Sequence, residues 1–411
     1  MSSPAKHKNK PLFPVADNCL QIGGMPLTRL AEQIGSTPFY AYDRKLISER
    51  IAQLRAALPA EVHLHYAIKA NPMPEVVQHL AQLVDGFDVA SVGEMEVVLK
   101  TPMSPSKISF AGPGKTEQAL HQAAAARIVL NLESEREMEL LAKAGASLGL
   151  RPKAVVRVNP DFELKSSGMK MGGGPKQFGV DAEKVPAMLH RMKDLPLDFY
   201  GFHIFSGSQN LSADAIIEAQ SNTLDLARRL AADAPGPVKL LNLGGGFGIP
   251  YFPGEQPLAL EDVGQRMTKL ISDARHDFPE AEFVIELGRY MVGEAGIYVS
   301  RVIERKLSRG QTFLIMDGGL HHHLAASGNF GQVIRKNYPV LVGNRVEPEG
   351  EPELATAVGP LCTPLDTLAD KMELGHAQEG DLIVVMQSGA YGLTASPTAF
   401  LGHPAPAEIL V

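Results

Sequence analysis

The run VHLHYAIK (62–69), with the segment PEVVQHLAQLV (74–84) after it, decides the fold. The first segment is short, apolar and rich in β-formers, as in a buried strand, and the second has the periodicity of a helix. This strand–helix unit recurs, and the other predicted strands are GFDVA (86–90), KISFAG (107–112), RIVLNL (127–132), KAVVRVN (153–159), DFYGFHI (198–204), VKLLNLG (238–244) and EFVIELG (282–288). Eight repeats over residues 38–290 predict an α/β fold of the (β/α)₈ TIM-barrel type, whose usual size is about 250 residues. A doubly wound open sheet is the alternative.

The pattern changes after residue 290. Strand-like runs without long helices, punctuated by turn residues, predict an antiparallel β domain over residues 291–411, and they are GIYVSRVIERKL, QTFLIMDGG, YPVLVGN, DLIVVMQSGAY and PAEILV. Residues 1–37 form an N-terminal segment that we expect to pair partly with this domain. The Gly- and Lys-rich residues 160–180 predict a long loop on the catalytic side of the barrel.

Composition excludes several classes of function. The chain has 411 residues, of which 45% are hydrophobic and 21% charged, with a formal net charge of −7. A nucleic-acid partner is disfavoured, because the only basic run is KHKNK (6–10). Two cysteines, Cys19 and Cys362, are too far apart in the chain to suggest a disulfide framework, which suits a reducing compartment. No signal-peptide pattern or long apolar stretch is present, so the sequence predicts a cytoplasmic protein that does not bind membranes.

Reactive side chains stand at the carboxyl ends of the predicted strands, where a barrel places its active site. Lys69 ends the first strand and could act as an amine nucleophile, although a lone lysine there is more often simply solvated. His203 ends the sixth strand, and a core histidine is an equal alternative. Neither residue decides the function by itself.

The last two barrel strands end in a pattern suited to phosphate. Three glycines, Gly244–Gly246, let backbone N–H groups approach an anion closely, at the loops where barrels habitually bind phosphate. Glu286 and Arg289 follow the eighth strand, and Ser206 adds a hydroxyl near the sixth. A phosphate site, an amine, a carboxylate and a flat ring partner together fit pyridoxal 5′-phosphate. We expect Lys69 to form the Schiff base, Glu286 to pair with the pyridine nitrogen and His203 to stack on the ring.

Nearly the whole chain resembles the fold-type III pyridoxal phosphate decarboxylases, the group that acts on diaminopimelate, ornithine and arginine. The resemblance rests on motifs in the family's order, which are YAIKANP around Lys69, DVASVGE ending at Glu94, HIFSGSQ from His203, GGGFG from Gly244, ELGR from Glu286, GPLC ending at Cys362 and GAYG around Tyr391. It implies the same roles for Lys69, His203 and Glu286, and a barrel followed by a β domain. It also makes Ser206, Gly245, Gly246, Arg289 and Tyr391 candidates for the phosphate site.

The resemblance further implies a homodimer with shared active sites, in which one subunit's Cys362 completes its neighbour's pocket. Cys362 would protonate Cα of an amino acid after loss of the α-carboxylate. A free thiol suits that task because it is mostly protonated at neutral pH.

Two departures from the family's pattern bear on the substrate. Thr363 stands where diaminopimelate and ornithine decarboxylases have an acid facing the substrate's distal end, and Asp366 either compensates or is structural. Ala325 stands where diaminopimelate decarboxylases have an arginine for the far carboxylate. The nearby His321, His322 and His323 predict a substrate-side loop better than a metal site, since adjacent histidines cannot all face one ion, and we expect no metal.

With these departures, the chain resembles a narrower subgroup, the decarboxylases of bacterial exosortase A and exopolysaccharide gene clusters. The segments that carry this resemblance are VHLHYAIKANPMPEVVQHLA, FELKSSGMKMGGGPKQFG, GGLHHHLAASGNFGQVIRKNYP and SGAYGLTASPTAFLGHPAPAEILV. Members occur beside acyl carrier proteins, so a carrier-bound aminoacyl substrate is an implied alternative to a free amino acid such as diaminopimelate, ornithine or lysine. An amino-acid racemase shares the fold and cofactor, but Glu286 and Cys362 favour decarboxylation. A non-catalytic pyridoxal phosphate-binding regulator is the alternative from another class.

Overall fold

The computed structural model describes residues 12–163, 169–170, 172–332, 335–348 and 350–411. The basic run at residues 6–10 lies outside the described residues, as does part of the loop predicted at residues 160–180. No helix among the described residues is long and apolar enough to cross a membrane.

The strands, in chain order, are β1 (Val15–Ala16), β2 (Cys19–Ile22), β3 (Met25–Pro26), β4 (Phe39–Tyr42), β5 (Val62–Ala67), β6 (Gly86–Val89), β7 (Ile108–Phe110), β8 (Val129–Leu132), β9 (Lys153–Asn159), β10 (Met169–Lys170), β11 (Val180–Asp181), β12 (Asp198–Ile204), β13 (Gly207–Ser208), β14 (Leu240–Gly245), β15 (Glu282–Leu287), β16 (Gly296–Ser308), β17 (Gln311–Met316), β18 (Val340–Val342), β19 (Glu353–Val358), β20 (Thr367–Leu374), β21 (Leu382–Val385) and β22 (Ala407–Leu410).

The α-helices are α1 (Leu27–Ile34), α2 (Arg44–Ala57), α3 (Pro74–Leu80), α4 (Val92–Leu99), α5 (Glu117–Ala125), α6 (Glu135–Leu148), α7 (Val185–Met192), α8 (Ala213–Ala231), α9 (Leu260–Asp277) and α10 (Arg289–Val292). Several begin with a capping hydroxyl that accepts a hydrogen bond from the N–H three residues later. The capping residues of α4, α5, α6 and α8 are Ser91, Thr116, Ser134 and Ser212. Each cap stabilises the turn from loop to helix by satisfying a helical N–H that would otherwise lack a partner.

The described residues divide into two compact units. One contains Arg50–Ile249 and Pro257–Met291, and the other contains the described residues up to Glu49, with Pro250–Gln256 and Val292–Val411. We call them the barrel unit and the β-sheet unit.

The barrel unit is a closed ring of eight parallel strands, in the order β9-β12-β14-β15-β5-β6-β7-β8, closed by pairing of β8 with β9. The short strand β11 adds to β9. Each of the eight predicted strands overlaps one of these, and the predicted barrel is confirmed. Its interior contains an apolar cluster from four strands, formed by Val129, Val155, Leu240 and Val284.

The β-sheet unit is built on a sheet in the order β18-β21-β16-β17-β19-β20, with β4 pairing both β16 and β22. The predicted β domain is confirmed, and its sheet is mixed rather than purely antiparallel, because β17 pairs β19 in parallel and β4 pairs β22 in parallel. Parallel pairing is available here since long connections separate the paired strands along the chain. The unpredicted strands β19 and β20 complete the sheet.

The N-terminal strands β1, β2 and β3 form a small antiparallel sheet of their own. Backbone hydrogen bonds join this small sheet to the later residues of the β-sheet unit, from Leu20 N to Gly343 O at 2.8 Å and from Val346 N to Asn18 O at 2.9 Å. The sequence boundary between residues 37 and 38 differs from the observed division, because β4 follows that boundary and yet pairs within the β-sheet unit.

Candidate active site

Lys69 lies in a short 3₁₀ helix, Ile68–Ala70, immediately after β5. The turn that follows is fixed by Asn71, whose carbonyl accepts a hydrogen bond from Tyr66 Oη at 3.0 Å and whose side chain accepts one from Met73 N at 3.1 Å. The Lys69 side chain is exposed, and its charge acts on two carboxyl groups, those of Glu94 and Glu286. The amine is therefore positioned at the carboxyl end of the first barrel strand, among acidic groups of the mouth.

Glu286 is an anionic carboxylate near the end of β15. Burial alone would raise its pKa, but the neighbouring His203 imidazole and the charges of Lys69 and Arg157 hold that pKa well below its usual range. Its side chain is 11% exposed, and Asn242 Nδ2 lies 3.4 Å from Oε2. A carboxylate held ionised in this way suits a partner that carries a proton on a ring nitrogen.

His203 lies on β12 with its side chain 2% exposed, and its Nε2 is 3.3 Å from Glu286 Oε2. Within the described part of the chain Nδ1 makes no hydrogen bond, and Nε2 has the Glu286 carboxylate as its ion-pair neighbour. Buried polar atoms normally have partners, so an imidazole left in this state fits a site completed by a bound group. The structure brings His203 and Glu286 together, and the ring-stacking role of His203 stays a prediction.

A ring of polar side chains surrounds these residues inside the barrel. Each of the four strands that contributes to the apolar cluster carries a polar residue two positions later. These polar residues are Asn131, Arg157, Asn242 and Glu286. Because side chains repeat every two residues along a strand, both layers face the same interior. The barrel core therefore changes from apolar to polar just below the mouth.

On the other side of the barrel, hydrogen bonds connect the side chains of the polar layer to one another. His65 Nδ1 lies 3.2 Å from Asp88 Oδ2, Ser109 Oγ donates to Asp88 Oδ1, and Asn131 Nδ2 donates to Ser109 Oγ at 3.1 Å. All four side chains are buried. A connected network of this kind fixes the strand ends that carry the site.

Arg157 is a second buried charge of the polar layer. Its Nη1 donates to Glu133 Oε1 at 2.7 Å. Arg157 also lies directly opposite His203 in the pairing of β9 with β12. The Arg157 charge helps to keep the pKa of Glu286 low. It is thus an electrostatic component of the site that motif reading did not assign.

The predicted phosphate cradle combines two loops of the barrel unit. A Cβ on Gly245 would collide with the carbonyl oxygen of Glu286, and one on Gly246, where φ is +74°, would collide with that of Gly207. Only glycine allows this close approach of backbones. Ser206 is 7% exposed on the adjoining loop, so the structure brings together Ser206, Gly245 and Gly246. Arg289, the first residue of α10, is half-buried, and its role in the phosphate site remains a prediction.

Glu94 is a candidate that the sequence reading quoted without assigning a role. It is the third residue of α4, where its N–H donates to the Ser91 hydroxyl at 3.1 Å and its Oε2 accepts from Ala90 N at 2.6 Å. Burial raises the pKa of Glu94, and the charge of Lys69 opposes that rise. Glu94 is therefore a second carboxyl group close enough to Lys69 for the charge of the amine to lower its pKa.

Cys362, Thr363, Asp366 and Tyr391 belong to the β-sheet unit. Cys362 is exposed, whereas Asp366 is 2% exposed. The Asp366 oxygens accept hydrogen bonds from Leu320 N at 2.6 Å and Leu361 N at 2.8 Å. Its carboxylate thus fixes the loop that carries Cys362, and the substrate-side role of Asp366 stays a prediction.

The three adjacent histidines are buried in the β-sheet unit, each at most 1% exposed. His322 Nδ1 lies 3.2 Å from Tyr298 Oη, and His323 Nε2 lies 2.9 Å from Ser388 Oγ. Tyr298 and Ser388 thus contact two of the imidazoles, and the substrate-side role of the three histidines stays a prediction. Among the described residues there is no group of three or more His, Cys, Asp or Glu side chains that could hold a metal ion.

Tyr391 has φ of +53°, and its ring stacks on that of Phe330 with centroids 6.5 Å apart. Phe330 is one of the larger exposed apolar side chains, with 43% of its surface accessible. Tyr391 is therefore held on an exposed aromatic pair, and its contribution to a phosphate site stays a prediction.

The buried His203 and the glycine cradle fit a flat phosphorylated group, and known proteins support the match. The family model described as "Pyridoxal-dependent decarboxylase, pyridoxal binding domain" matches residues 44–293. The chain belongs to this family. Its cofactor is pyridoxal phosphate, and the predicted family and cofactor are confirmed.

Three similar proteins extend the comparison. The chain is 38% identical over 379 residues to the L-glutamyl-[BtrI acyl-carrier protein] decarboxylase of Niallia circulans, covering 91% of this chain and 88% of that protein. It is 32% identical over 404 residues to the diaminopimelate decarboxylase of Aquifex aeolicus, covering 98% and 92%. The crystal structure of Helicobacter pylori diaminopimelate decarboxylase complexed with L-lysine superimposes with a TM-score of 0.82 at 27% identity, covering 93% and 94%.

All three relatives are named as decarboxylases. The chain is accordingly a pyridoxal phosphate-dependent carboxy-lyase, which confirms the predicted reaction class over the racemase and the non-catalytic regulator. Small amino-acid derivatives are its substrates.

Proposed function

We propose that this decarboxylase acts on an amino acid carried by an acyl carrier protein, with glutamate as the first candidate, bound through its side-chain carboxyl group as a thioester so that the α-carboxylate is free to leave. The observation that carries the proposal is the neutral side chain beside Cys362. Thr363 is half-buried, and its Oγ1 accepts a hydrogen bond from Leu365 N at 3.3 Å. Because its side chain is uncharged, it offers no counter-charge to a distal ammonium. The relative from Niallia circulans, which is named for a glutamyl group on a carrier, supports the same substrate class.

Bound pyridoxal phosphate supplies an electron sink for the electron pair left when the bond between Cα and the carboxylate breaks. Lys69 Nζ would attach the cofactor covalently and give up that attachment to the substrate amine. Glu286, held anionic, would keep a proton on the ring nitrogen, and His203 would cover one ring face. Backbone N–H groups near Ser206, Gly245 and Gly246 would bind the phosphate.

Cys362 Sγ would deliver the proton to Cα that completes the reaction. A thiol retains its proton at neutral pH and is therefore ready to act as an acid. The exposed position of Cys362 suits a residue that acts in a neighbouring subunit of a homodimer, as the family resemblance implies. Homodimerisation is part of the proposal, together with a cytoplasmic location and a link to exopolysaccharide gene clusters.

A second candidate is the decarboxylation of a free amino acid such as diaminopimelate. The 32% identity to the Aquifex aeolicus enzyme over nearly the whole chain favours it. Thr363 argues against it, because a free distal ammonium would enter the pocket without a counter-charge at that position. The two candidates therefore differ in the charge at the far end of the substrate.

One assay separates the candidates. Release of CO₂ is measured from a glutamyl carrier protein and, in parallel, from free glutamate, diaminopimelate, lysine and ornithine in both stereochemical forms. We expect turnover of the carrier-bound substrate and negligible turnover of the free amino acids. Efficient release from free diaminopimelate with none from the glutamyl carrier would overturn the proposal. The Lys69→Ala variant is the control, and borohydride treatment of the wild type should trap the cofactor on Lys69.

A further inference from the structure

A small cavity lies between α8 and the two loops proposed to bind phosphate. Its lining includes Ser206, Gly207 and Gly245 from the phosphate side, and Gln220 from α8. The rest of the lining is formed by Phe205, Asn210, Ile216, Ala219 and Leu243. The cavity has room for about one water-sized group. It therefore joins the back of the phosphate cradle to the buried face of a helix.

Gln220 is an unusual residue for this buried face. Its side chain is 2% exposed, and within the described residues neither Nε2 nor Oε1 has a hydrogen-bond partner. Leaving both ends of a buried amide unpaired is costly, so such an amide normally contacts a bound polar group. An apolar side chain of the same size would satisfy packing alone. The amide of Gln220 consequently indicates a polar occupant of the cavity.

Asn210 shares the cavity and connects the two loops. Its backbone N donates to Gly246 O at 2.9 Å, and its backbone O accepts from Gly248 N at 2.8 Å. Its Oδ1 accepts from Ser212 N at 2.9 Å, at the start of α8. Only Nδ2 is unpaired within the described part of the chain. Asn210 thus fixes the glycine loop to α8 and leaves one donor for a further partner.

We propose that Gln220 is a positioning residue for the cofactor phosphate, and that it holds an ordered water in this cavity together with Asn210. A water molecule accepts two hydrogen bonds and donates two, which matches the donors Nδ2 and Nε2 and the acceptor Oε1. The bridge fastens the glycine loop to α8 from behind and keeps its N–H groups aligned for an anion. This inference rests on the phosphate placement proposed above.

The test compares two ligands that differ only in the phosphate. Gln220→Met removes the amide at nearly constant volume, and Thr223→Val is the matched control, because Thr223 is 1% exposed on α8 and does not line the cavity. Affinity of the full chain is measured for pyridoxal phosphate and for pyridoxal by absorbance titration. We expect Gln220→Met to weaken pyridoxal phosphate binding about five- to tenfold and to leave pyridoxal binding within about twofold. The ³¹P resonance of the bound cofactor should also shift.

A second variant protects the test against a folding defect. Ala219→Val narrows the cavity without changing Gln220, and it should produce the same selective loss. Equal effects on both ligands, or no effect on either from both variants, would overturn the inference. Gly246→Ala reports separately on the phosphate site, since a Cβ there collides with the Gly207 carbonyl. If Gly246→Ala leaves the preference for pyridoxal phosphate intact, the proposed phosphate site itself is wrong.

Discussion

His203 and Glu286 form a close pair inside the barrel, with His203 Nε2 3.3 Å from Glu286 Oε2. The two residues are on strands separated by β14, so their contact crosses the interior rather than following one strand pair. The interior polar layer places an anionic carboxylate beside an imidazole whose Nδ1 has no hydrogen-bond partner in the described chain. That pair is the central element of the proposed cofactor site.

Glu286→Gln should retain the cofactor and lose most of the activity. The amide cannot stabilise a proton on the ring nitrogen as a carboxylate does, so we expect kcat to fall about 10²–10³-fold. The control is Glu282→Gln at the other end of β15, where Glu282 pairs with Lys107 at 2.8 Å. Cofactor content is followed by visible absorbance and kcat by CO₂ release. Equal activity of both variants would show that Glu286 is not the ring-nitrogen partner.

Cys362→Ala should keep the cofactor spectrum and slow the reaction. Loss of a general acid costs about 10²–10⁴-fold, and any residual product should be protonated at the wrong position or on the wrong face of Cα. Turnover in D₂O with analysis of the labelled product reports this directly. The chain's other cysteine provides the control, since Cys19→Ala lies in a buried cluster of the β-sheet unit and should leave kcat within about twofold. An unchanged rate and product in Cys362→Ala would assign the acid to another group.

Shared active sites predict complementation between two inactive variants. Mixed Lys69→Ala and Cys362→Ala subunits should form heterodimers with one intact site each, which restores about a quarter of wild-type activity after random exchange in a two-fold dimer. Subunit exchange is verified with differently tagged chains. Activity that stays at the level of the separate variants despite proven exchange would place Lys69 and Cys362 of one chain in the same site.

Asp366 is expected to be a stability residue of the Cys362 loop. Asp366→Ala leaves the N–H groups of Leu320 and Leu361 without their acceptor, at a cost of about 1–3 kcal/mol for each buried donor. Chemical denaturation of the variant measures the loss. The exposed Asp370→Ala is the control and should change the free energy of unfolding by less than about 0.5 kcal/mol. A normal stability with altered substrate preference would instead support the substrate-side role.

The barrel could be predicted because each strand is a short, largely buried run of mostly apolar residues, between helices with regular periodicity. The strands β19 and β20 escaped prediction for the opposite reason. ELATAV and TLADKMEL contain charged and small residues, and their extended conformation depends on pairing with β17 and with each other. Tertiary pairing decides such strands more than local sequence does.

Prediction of the site residues was limited in the same way, by what tertiary pairing adds to local sequence. Lys69 and Glu286 were found because they stand at strand ends inside motifs, and the two are now linked electrostatically. Arg157 was missed although it lies on a predicted strand, because its importance depends on pairing opposite His203. The period-two spacing from Val155 was the available signal, but reading it required knowing which face of the strand is interior. The burial of His321–His323 depends on ring partners distant in sequence, which are His403 for His321 and tyrosines for His322 and His323.

That burial makes stability depend on pH. Burial and the neighbouring His322 and His403 lower the pKa of His321 to about 4, against an ordinary value of 6.5. As the pH falls below about 6.5 the unfolded chain binds a proton that the folded chain does not bind until about pH 4. The free energy of unfolding should therefore decrease over this interval, by up to about 3 kcal/mol from this group. His323, whose pKa is lowered to about 3 by burial, adds a loss in the same direction.

Urea denaturation of the wild type and of His321→Leu between pH 7.5 and 4.5 measures the effect. The variant should show a shallower loss of stability with acidification, because it removes the proton uptake of one imidazole on unfolding. His276→Leu, at an exposed position on α9, should keep the wild-type slope. Carboxyl groups contribute equally to the pH dependence of stability in all three proteins. The difference between their slopes of unfolding free energy against pH therefore isolates the contribution of His321. Parallel slopes for the wild type and His321→Leu would mean that His321 is accessible to protons in the folded protein.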